Sequence, residues 1–429
     1  MKVFKFGGAS VKDADGLRNV AAILKMYPGE QLVVVVSAMG KTTNALEKII
    51  ESAEYNEAAR LCSELENYHT NIAKECIAGE KGVEIVLTIK ELIAEVLNLV
   101  KNYPHDNQDE RYDQIAAYGE KLSLQIVLSY LSSTGIDVVW QDALNNICTD
   151  DSFKNANVNF DQTESRVRRN YSASFKQAQV VITEGFIART KNGKTTTLGR
   201  EGSDYTAAIM AYSLNAASVT IWKDVPGVLN ADPKWFDNTV KIDHLSYQDA
   251  LELSYYGATV IHPKTIKPLQ NRNITLLVKS FLNPGEPGTQ IDNKFSQLST
   301  PCFIFKINQA LLSISPKDFS FIVEANLSRI FKELAVCKVK VNVMQNSALN
   351  FSICMDDDPG KLSALIARLG DDFRVLYNKN LELITIRYYD QPTIDRVTVG
   401  KKVLMEHKSR YTVQLVVQPE ENGKIPTRK

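Results

Sequence analysis

The chain has 429 residues, 44% hydrophobic and 23% charged, which is typical of a globular protein of two or three domains and excludes disordered and fibrous classes. Lys+Arg and Asp+Glu both number 50, so net charge indicates neither a nucleic-acid nor a membrane partner. No apolar stretch is long enough to span a bilayer, and we expect no signal peptide. The six scattered cysteines form no CxxC pair. They predict reduced thiols, a cytoplasmic location and no structural metal.

The first ten residues predict a strand, a glycine turn and a helix start. Val3–Phe6 is a short strand that carries Lys5, Gly7-Gly8 end it, and Ser10 stands at a plausible helix N-cap. Such a turn suits phosphate binding, because backbone N–H groups point at the anion and the lysine neutralises its charge. An ordinary strand–turn–helix start with a surface lysine is the alternative.

The next segments alternate between apolar strands and helices. Leu32–Val36 is an uninterrupted apolar run that predicts a strand buried on both faces. The polar loop 37–44 follows at its carboxyl end, where α/β sheets bind ligands. Residues 45–131 have helical spacing, and 136–140 and 179–183 are again strand-like. This alternation predicts an α/β fold with a doubly wound, mostly parallel sheet.

Two further segments combine turn residues with charged side chains. Leu198–Thr206 places a guanidinium, a hydroxyl and a carboxylate before a helix, a combination that suits anionic ligands. The strand 219–222 ends in the loop 223–234, a second candidate for ligand binding. For each, an ordinary surface loop is the alternative. His262 is interpreted as a packed or surface histidine, and the Pro/Gly-rich segment 280–289 as a domain boundary.

Six segments, in order, resemble motifs of the aspartate kinases of the amino-acid kinase family. They are Lys5–Ser10, Val36–Asn44, Gly119-Glu120, Gly199–Ala207, Trp222–Pro233 and Gly257–Pro263. The resemblance implies a catalytic domain over 1–290 and a tandem ACT-like regulatory region over 301–418. It also implies transfer of the γ-phosphoryl group of ATP, with Mg2+, to the β-carboxylate of L-aspartate. That reaction is the first step of lysine, threonine and methionine biosynthesis.

The implied chemistry needs positioning and charge neutralisation more than proton transfer, since a carboxylate nucleophile is already ionised at neutral pH. By resemblance, Lys5 and Asp204 are the catalytic residues: Lys5 bridges the transferring phosphoryl group, and Asp204 orients Lys5 or helps to hold the metal. The implied aspartate-binding set is Ser37, Thr43, Glu120, Arg200 and Ser203. The implied ATP contacts are Gly7, Gly8, Lys223, Asp224 and Lys234.

Three positions depart from the family pattern. Glu201 stands in place of a glycine, Thr259 in place of a nucleotide-contacting lysine, and Leu229 in place of a tyrosine near the base. These departures concern the nucleotide contacts more than the aspartate contacts. We hypothesise that the missing cation is replaced by one of three lysines, namely Lys223, Lys234 or Lys264.

The region 301–418 predicts an α+β pattern. The expected strands are 303–307, 311–314, 339–344, 349–355, 381–388 and 412–417, with helix patterns at 323–334 and 362–369. In the family such a region binds an end-product amino acid. Asn342 and Ala348 fall where lysine-sensitive relatives tend to carry Asp and Glu, while Gln345, Ser347 and Asn350 remain available to an effector. The alternative is a region that only builds a homodimer.

Two other functions stay open. One is an amino-acid kinase for another carboxylate; the pairing of Arg200 with Glu120, which suits an α-amino dicarboxylate, favours aspartate. The other is a catalytically weak amino-acid sensor, which Thr259 favours and the intact Lys5, Arg200 and Asp204 oppose. Neither nucleic acid nor a membrane is expected as a partner.

Overall fold

The computed structural model describes residues 1–103, 107–258, 261–294, 300–318 and 320–419. The chain divides into two compact units. The first comprises Met1–Val228, Lys241–Leu251 and Thr259–Ser296, and the second Leu229–Val240, Glu252–Ala258 and Gln297–Lys429. The assignment of 1–290 and 301–418 to a catalytic and a regulatory domain stays a prediction.

The elements up to residue 292 are, in chain order, the strands β1 (Lys2–Phe6), β2 (Leu32–Val36), β3 (Val138–Trp140), β4 (Cys148–Thr149), β5 (Val180–Glu184), β6 (Ile187–Thr190), β7 (Thr195–Thr197), β8 (Ser218–Lys223), β9 (Val228–Leu229), β10 (Lys241–Ile242), β11 (His244–Ser246), β12 (Thr275–Ser280) and β13 (Thr289–Asp292). The helices are α1 (Ala14–Lys25), α2 (Thr42–Glu51), α3 (Tyr55–Cys76), α4 (Gly79–Asn102), α5 (Gln108–Ala116), α6 (Tyr118–Ser133), α7 (Ala143–Asn146), α8 (Phe160–Ser174), α9 (Gly202–Leu214), α10 (Tyr247–Tyr256) and α11 (Pro263–Arg272).

The main sheet of the first unit has eight strands in the order β11-β13-β12-β8-β1-β2-β5-β3. Its neighbouring pairs are parallel except β12 with β13. The predicted α/β fold with a mostly parallel sheet is therefore confirmed. None of the helices in the described ranges combines the length and apolarity that a bilayer crossing requires.

The central strand β2 is buried along its whole length, as its run of β-branched residues predicts. Leu32, Val34 and Val36 face a core built with Phe4 and Phe6 of β1 and with helices α1 to α6. Val33 and Val35 are buried outside that core, and α9 packs against β1, β2 and β8. Because side chains alternate along a strand, Lys5 in β1 points to the face opposite Phe4 and Phe6.

The register of the central strands aligns their carboxyl ends. Phe6 is opposite both Val36 and Trp222, and Val36 is opposite Glu184. The Gly7-Gly8 turn and the loops after β2 and β8 therefore begin side by side, at the sheet edge where parallel α/β folds bind ligands.

The second unit contains β14 (Cys302–Pro316), α12 (Glu324–Val336), β15 (Val341–Asn346), β16 (Phe351–Asp356), α13 (Pro359–Leu369), β17 (Phe373–Arg387), α14 (Gln391–Thr398), β18 (Lys401–Lys408) and β19 (Thr412–Pro419). They form one antiparallel sheet in the order β15-β16-β14-β17-β19-β18. The expected strands 303–307 and 311–314 are one strand, β14, whose pairing shifts register between Lys306 and Leu311.

Two halves of this sheet share the long strands β14 and β17. The first half runs β14–α12–β15–β16–α13–β17, a βαββαβ unit. The second half runs β17–α14–β18–β19, and the start of β14 supplies its fourth strand. Its strands follow the same spatial order as those of the first half, but it has one helix fewer. This repeat favours the tandem ACT-like assignment, which stays a prediction.

Candidate active site

A cavity of about 950 Å3 opens at the carboxyl edge of the main sheet. Eleven of the twelve site residues predicted from the sequence line it: Lys5, Gly7, Gly8, Ser37, Thr43, Glu120, Arg200, Ser203, Asp204, Lys223 and Asp224. The twelfth, Lys234, belongs to the second unit, and its contact with ATP stays a prediction. The cavity thus gathers segments that lie more than 200 residues apart in the sequence.

Lys5 and Asp204 form an ion pair in this cavity. Lys5 projects from β1 towards α9, and its Nζ lies 2.6 Å from Oδ1 of Asp204, which stands in the first turn of α9. Nζ of Lys223, at the end of β8, lies 3.9 Å from the other carboxylate oxygen of Asp204. Two ammonium groups thus share one carboxylate that is only 2% exposed. The arrangement places fixed positive charge where an anionic phosphoryl group can bind.

The Gly7-Gly8 turn brings two loops into close backbone contact. A Cβ on Gly8 would lie 2.6 Å from the carbonyl oxygen of Ala38, and the N–H of Gly40 donates to the carbonyl oxygen of Gly8 at 2.9 Å. A Cβ on Gly7 would lie 3.3 Å from Nζ of Lys5. Glycine is therefore required at Gly8 for the close approach of the two loops, whereas the atom nearest to Gly7 is the end of a flexible lysine side chain.

Glu120 carries a buried carboxylate with one free oxygen. Its side chain reaches the cavity from α6 and is 3% exposed, and the N–H of Ala38 donates to Oε1 at 3.3 Å. Oε2 has no hydrogen-bond partner among the described residues. Burial raises the pKa of Glu120 to about 8, with Glu184 adding repulsion and the Ala38 N–H and Lys5 opposing the shift. An incoming cation would satisfy the free oxygen and favour the ionised carboxylate.

The other predicted aspartate contacts, Ser37, Thr43, Arg200 and Ser203, line the same cavity as Glu120. The N–H of Ser37 donates to the carbonyl oxygen of Phe6 at 3.1 Å, which fixes the loop after β2 against β1. A Cβ on Gly185 would lie 2.4 Å from Cβ of Ser203, so the start of α9 packs closely on the turn after β5. Arg200 is exposed at the cavity and makes no ion pair within the described ranges. Its guanidinium fork is available to a carboxylate ligand.

The departure at Glu201 has a structural explanation. Its backbone is left-handed, with φ +54° and ψ +31°, at the residue that precedes α9. Glycine adopts this conformation without steric cost, which explains why a glycine is common in the family pattern. The carboxylate of Glu201 lines the cavity beside Arg200 and adds negative charge there.

The other departures lie outside the cavity or the described ranges. Thr259 lies outside the described residues, and Leu229 belongs to the second unit. The ammonium of Lys264 donates to the side-chain oxygen of Asn155 and approaches the carbonyl oxygen of Leu198, and this lysine is not part of the cavity lining. Of the three hypothesised replacement cations, only Lys223 lines the cavity.

His262 has a structural role, as the sequence interpretation expects. It is the N-cap residue of α11, and its Nδ1 accepts the backbone N–H of Lys264 at 3.2 Å. Burial lowers its pKa, which favours the neutral, accepting form.

Lys154, Tyr112 and Glu47 line the cavity but escaped the sequence analysis. The hydroxyl of Tyr112 donates to Oε1 of Glu47 at 2.8 Å, and Nζ of Lys154 lies 4.7 Å from the centre of the Tyr112 ring. The backbone N–H of Lys154 donates to the buried carboxylate of Asp113 at 2.9 Å. These residues come from helices α2 and α5 and from an irregular loop, none of which carries a turn motif that marks them.

The amino acid kinase family model matches residues 1–280. The chain belongs to the amino acid kinase family. It is 31% identical to Aspartokinase 1, chloroplastic, of Arabidopsis thaliana, over 84% of this chain and 64% of the relative. Against the bifunctional aspartokinase/homoserine dehydrogenase 2 of the same plant, it is 31% identical over 86% of this chain but spans only 42% of that relative.

Among solved structures, E. coli aspartokinase III in complex with aspartate and ADP is similar, with a TM-score of 0.83 and 25% identity, covering 98% of this chain and 97% of that one. The same enzyme in complex with lysine and aspartate has a TM-score of 0.81 and 26% identity, covering 98% and 96%. The family resemblance of the six sequence motifs is thus confirmed.

Proposed function

We propose that this kinase-family chain is an aspartate kinase, which transfers the γ-phosphoryl group of ATP to the β-carboxylate of L-aspartate and gives 4-phospho-L-aspartate and ADP. One observation carries the proposal: a single cavity holds the Lys5–Asp204–Lys223 cluster together with Arg200 and Glu120. Among the described residues, Arg200 has no ion-pair partner and Oε2 of Glu120 has no hydrogen-bond partner. The likeness to a solved structure that binds aspartate and ADP supports it.

Each charged site residue is proposed to bind the substrate group of opposite charge. Arg200 binds the α-carboxylate and Glu120 the ammonium group, which leaves the β-carboxylate to face the nucleotide. Its oxygen attacks the γ-phosphorus while the bond from that phosphorus to the β–γ bridging oxygen breaks, and ADP leaves. Lys5 and Lys223 offset the charge on the transferring group, and no general base is needed.

Mg2+ enters this proposal as part of the MgATP substrate. It keeps several water ligands and is held in kinases by one or two carboxylates together with phosphate oxygens. Asp204 and Asp224 line the cavity on the lysine-bearing side and fit that requirement. They would bind the ion that screens the negative charge of the polyphosphate.

We also propose that the enzyme forms a homodimer and is located in the cytoplasm. An end-product amino acid is the proposed effector of its ACT-like region. One of the similar E. coli aspartokinase III structures is a complex with lysine. In this chain, Asn342 stands where lysine-sensitive relatives tend to carry Asp, and its amide nitrogen already donates to Gln309 at 2.8 Å and to Asp356 at 2.9 Å. Its oxygen accepts from Lys306 at 2.9 Å. This network leaves Asn342 little capacity to bind a cationic effector.

The test is formation of an acyl phosphate, trapped with hydroxylamine as the hydroxamate while ADP release is followed. We expect both products with ATP and L-aspartate, and much less with L-glutamate, D-aspartate or succinate, which lacks the ammonium group. A folded protein that releases no aspartate-dependent ADP would favour the weak sensor. A strong preference for another carboxylate would favour a different kinase of the family.

A further inference from the structure

Helix α3 contacts the loop after β2 through two consecutive residues, Tyr68 and His69. Neither lies in one of the six sequence motifs, and neither lines the active-site cavity. The two rings lie 4.9 Å apart between centres, with their planes at 80°. His69 is fully buried, whereas Tyr68 is partly buried. A buried imidazole needs a hydrogen-bond partner for each ring nitrogen, and the proposed mechanism does not use this one.

The hydrogen bonds of His69 fix its tautomer. Nδ1 lies 2.8 Å from the carbonyl oxygen of Leu65, which can only accept, so Nδ1 carries the proton. In the neutral ring Nε2 therefore keeps its lone pair, and it accepts from the hydroxyl of Thr42 at 3.2 Å. Burial lowers the pKa of His69 to about 4, so the ring stays neutral near pH 7. The hydroxyl of Thr42 is thus held by an acceptor whose direction is set by α3.

This hydrogen bond anchors the start of α2, which has no side-chain cap. Lys41, the N-cap residue, makes no side-chain hydrogen bond to the first turn, so the turn lacks the anchor that helix starts commonly have. Thr42 is the first residue of α2 and is 2% exposed. Thr43 is next in the chain and lines the cavity as a predicted aspartate contact. The position of Thr43 therefore depends on the bond between Thr42 and His69.

Tyr68 holds the preceding part of the same loop. Its hydroxyl donates to the carbonyl oxygen of Lys12, in the segment after β1, at 2.6 Å. A Cβ on Gly40 would lie 2.5 Å from that hydroxyl oxygen, so the side chain of Tyr68 abuts the backbone of Gly40. Gly40 has a φ of +54° and donates its N–H to the carbonyl oxygen of Gly8. Helix α3 thus supports both segments that meet at Gly8.

We propose that the Tyr68–His69 pair positions the aspartate-binding loop. His69 is a positioning residue, which acts through Thr42 on Thr43 and touches no substrate. Tyr68 keeps the loop at Gly40 against the segment after β1. A displacement of about 1 Å caused at a distance from the reacting atoms can cost about 10²-fold in rate, so one lost hydrogen bond here has a measurable effect. The kinetic effect rests on the proposed aspartate kinase function, whereas the ordering of the loop does not.

Steady-state kinetics in the hydroxamate assay separate positioning from a general loss of stability. His69→Leu removes the acceptor, so we expect the KM for aspartate to rise about tenfold and the KM for ATP to change less than about twofold. His69→Gln places an amide oxygen near the position of Nε2 and should restore both values. Thr42→Val removes the same bond from the other side, so adding it to His69→Leu should cause no further loss. Thr70→Val is the matched control, because the similarly buried Thr70 hydroxyl bonds only to carbonyl groups of α3.

Hydrogen exchange of the ligand-free chain tests the same contacts without any substrate. Peptides that cover 37–45 should exchange about fivefold faster in His69→Leu and in Tyr68→Phe than in the wild type, while those that cover β2 should not change. Tyr68→Phe should also speed the exchange of 8–13, because that segment loses its hydrogen bond to α3. Thr70→Val should leave the exchange of both segments unchanged.

An unchanged KM for aspartate in His69→Leu overturns the positioning role even where exchange changes, and unchanged exchange overturns the contact that carries it. A His69→Gln variant as impaired as His69→Leu, or the same rise in KM in Thr70→Val, also overturns the proposal. Faster exchange that extends to β2 would show a purely structural role. If the wild type releases no aspartate-dependent ADP but exchange responds as expected, the aspartate kinase function fails and the ordering of the loop by α3 stands.

Discussion

The ammonium of Lys5 is held by a single buried carboxylate, and this fixes where positive charge is available to a phosphoryl group. Asp204 also attracts Lys223, so removing one lysine leaves the carboxylate with a partner. The structure can therefore lose the Lys5 charge without leaving an unpaired buried ion. This separates the catalytic contribution of Lys5 from its contribution to folding.

We expect Lys5→Met to lower kcat by about 10²–10³-fold, the usual loss when one group that stabilises a developing charge is removed. The thermal unfolding midpoint should change little, since Lys223 still faces Asp204. Lys2→Met on the same strand is the control, because Lys2 pairs with Glu30 outside the cavity. A Lys5→Met variant with normal kcat would remove Lys5 from the catalytic residues.

Glu120 makes aspartate binding depend on pH. Its pKa is about 8 in the free protein because of burial, so near neutral pH it carries a proton that an incoming ammonium must displace. The KM for aspartate should therefore fall as pH rises from 6.5 to 8, by up to about tenfold per pH unit, and then level off. Initial rates at saturating ATP and constant ionic strength measure this. Glu120→Gln should raise KM and flatten the profile; a profile unchanged in that variant would contradict the role of Glu120.

At the scale of elements, the site depends on the contact between the turn after β1 and the loop after β2. The predicted Cβ clash of Gly8 is with a backbone carbonyl, which cannot rotate away as a side chain can. We expect Gly8→Ala to separate the two loops and to lower kcat/KM for both substrates at least tenfold. Gly285→Ala is the matched control, since no atom lies within 4 Å of its added Cβ. Equal activity of the two variants would show that the close approach is not needed.

The elements that sequence reasoning found are those with a strong local signal. The run Leu32–Val36 specifies a buried strand, and the loops at strand ends follow from the rule for parallel sheets. Residues 373–380 of β17 were missed, because they are mostly exposed, mix apolar and polar residues without a strand-like alternation, and are held by pairing with β14. The short helix α14 buries only Ile394 and Val397, too few positions for a clear helical period.

The candidate site was predictable to the extent that its residues lie in motifs. Lys5, Arg200 and Asp204 stand at glycine turns or helix starts, so a local pattern marks them. Lys154 lines the same cavity from a loop whose position depends on the buried carboxylate of Asp113, more than 40 residues away in the chain. Such a contact follows from tertiary packing and leaves no local signal.

At the scale of the whole molecule, the buried ionisable groups of the first unit set how stability varies with pH. Burial raises the pKa of Glu120 to about 8 and that of Glu184 to about 7, from an ordinary value of 4.5. It lowers the pKa of His69 to about 4 from 6.5. His69 lies between Thr42 and the carbonyl oxygen of Leu65 and is buried as a neutral group.

These shifts have opposite signs. Between pH 4.5 and 7, both glutamates ionise in the unfolded chain but keep their protons in the native state, so stability falls as pH rises; above pH 7 only Glu120 continues this fall, until about pH 8. His69 is protonated in the unfolded chain and neutral in the native one between pH 4 and 6.5, so its contribution rises with pH over that window. Two falling contributions outweigh one rising contribution, and stability should decrease from pH 5 to 8.

Thermal unfolding at constant ionic strength should therefore show a midpoint that falls from pH 5 to 8, most steeply between pH 6.5 and 7, where His69 no longer offsets the two glutamates. Glu184→Gln should remove part of the slope below pH 7, because the amide stays neutral in both states, while the exposed control Glu91→Gln should leave the slope unchanged. Saturating aspartate should reduce the fall between pH 7 and 8, since the bound ammonium favours ionised Glu120 in the native state. A midpoint that rises from pH 5 to 8 would show that the two glutamates are ionised in the folded protein, and would remove the basis for pH-dependent aspartate binding as well.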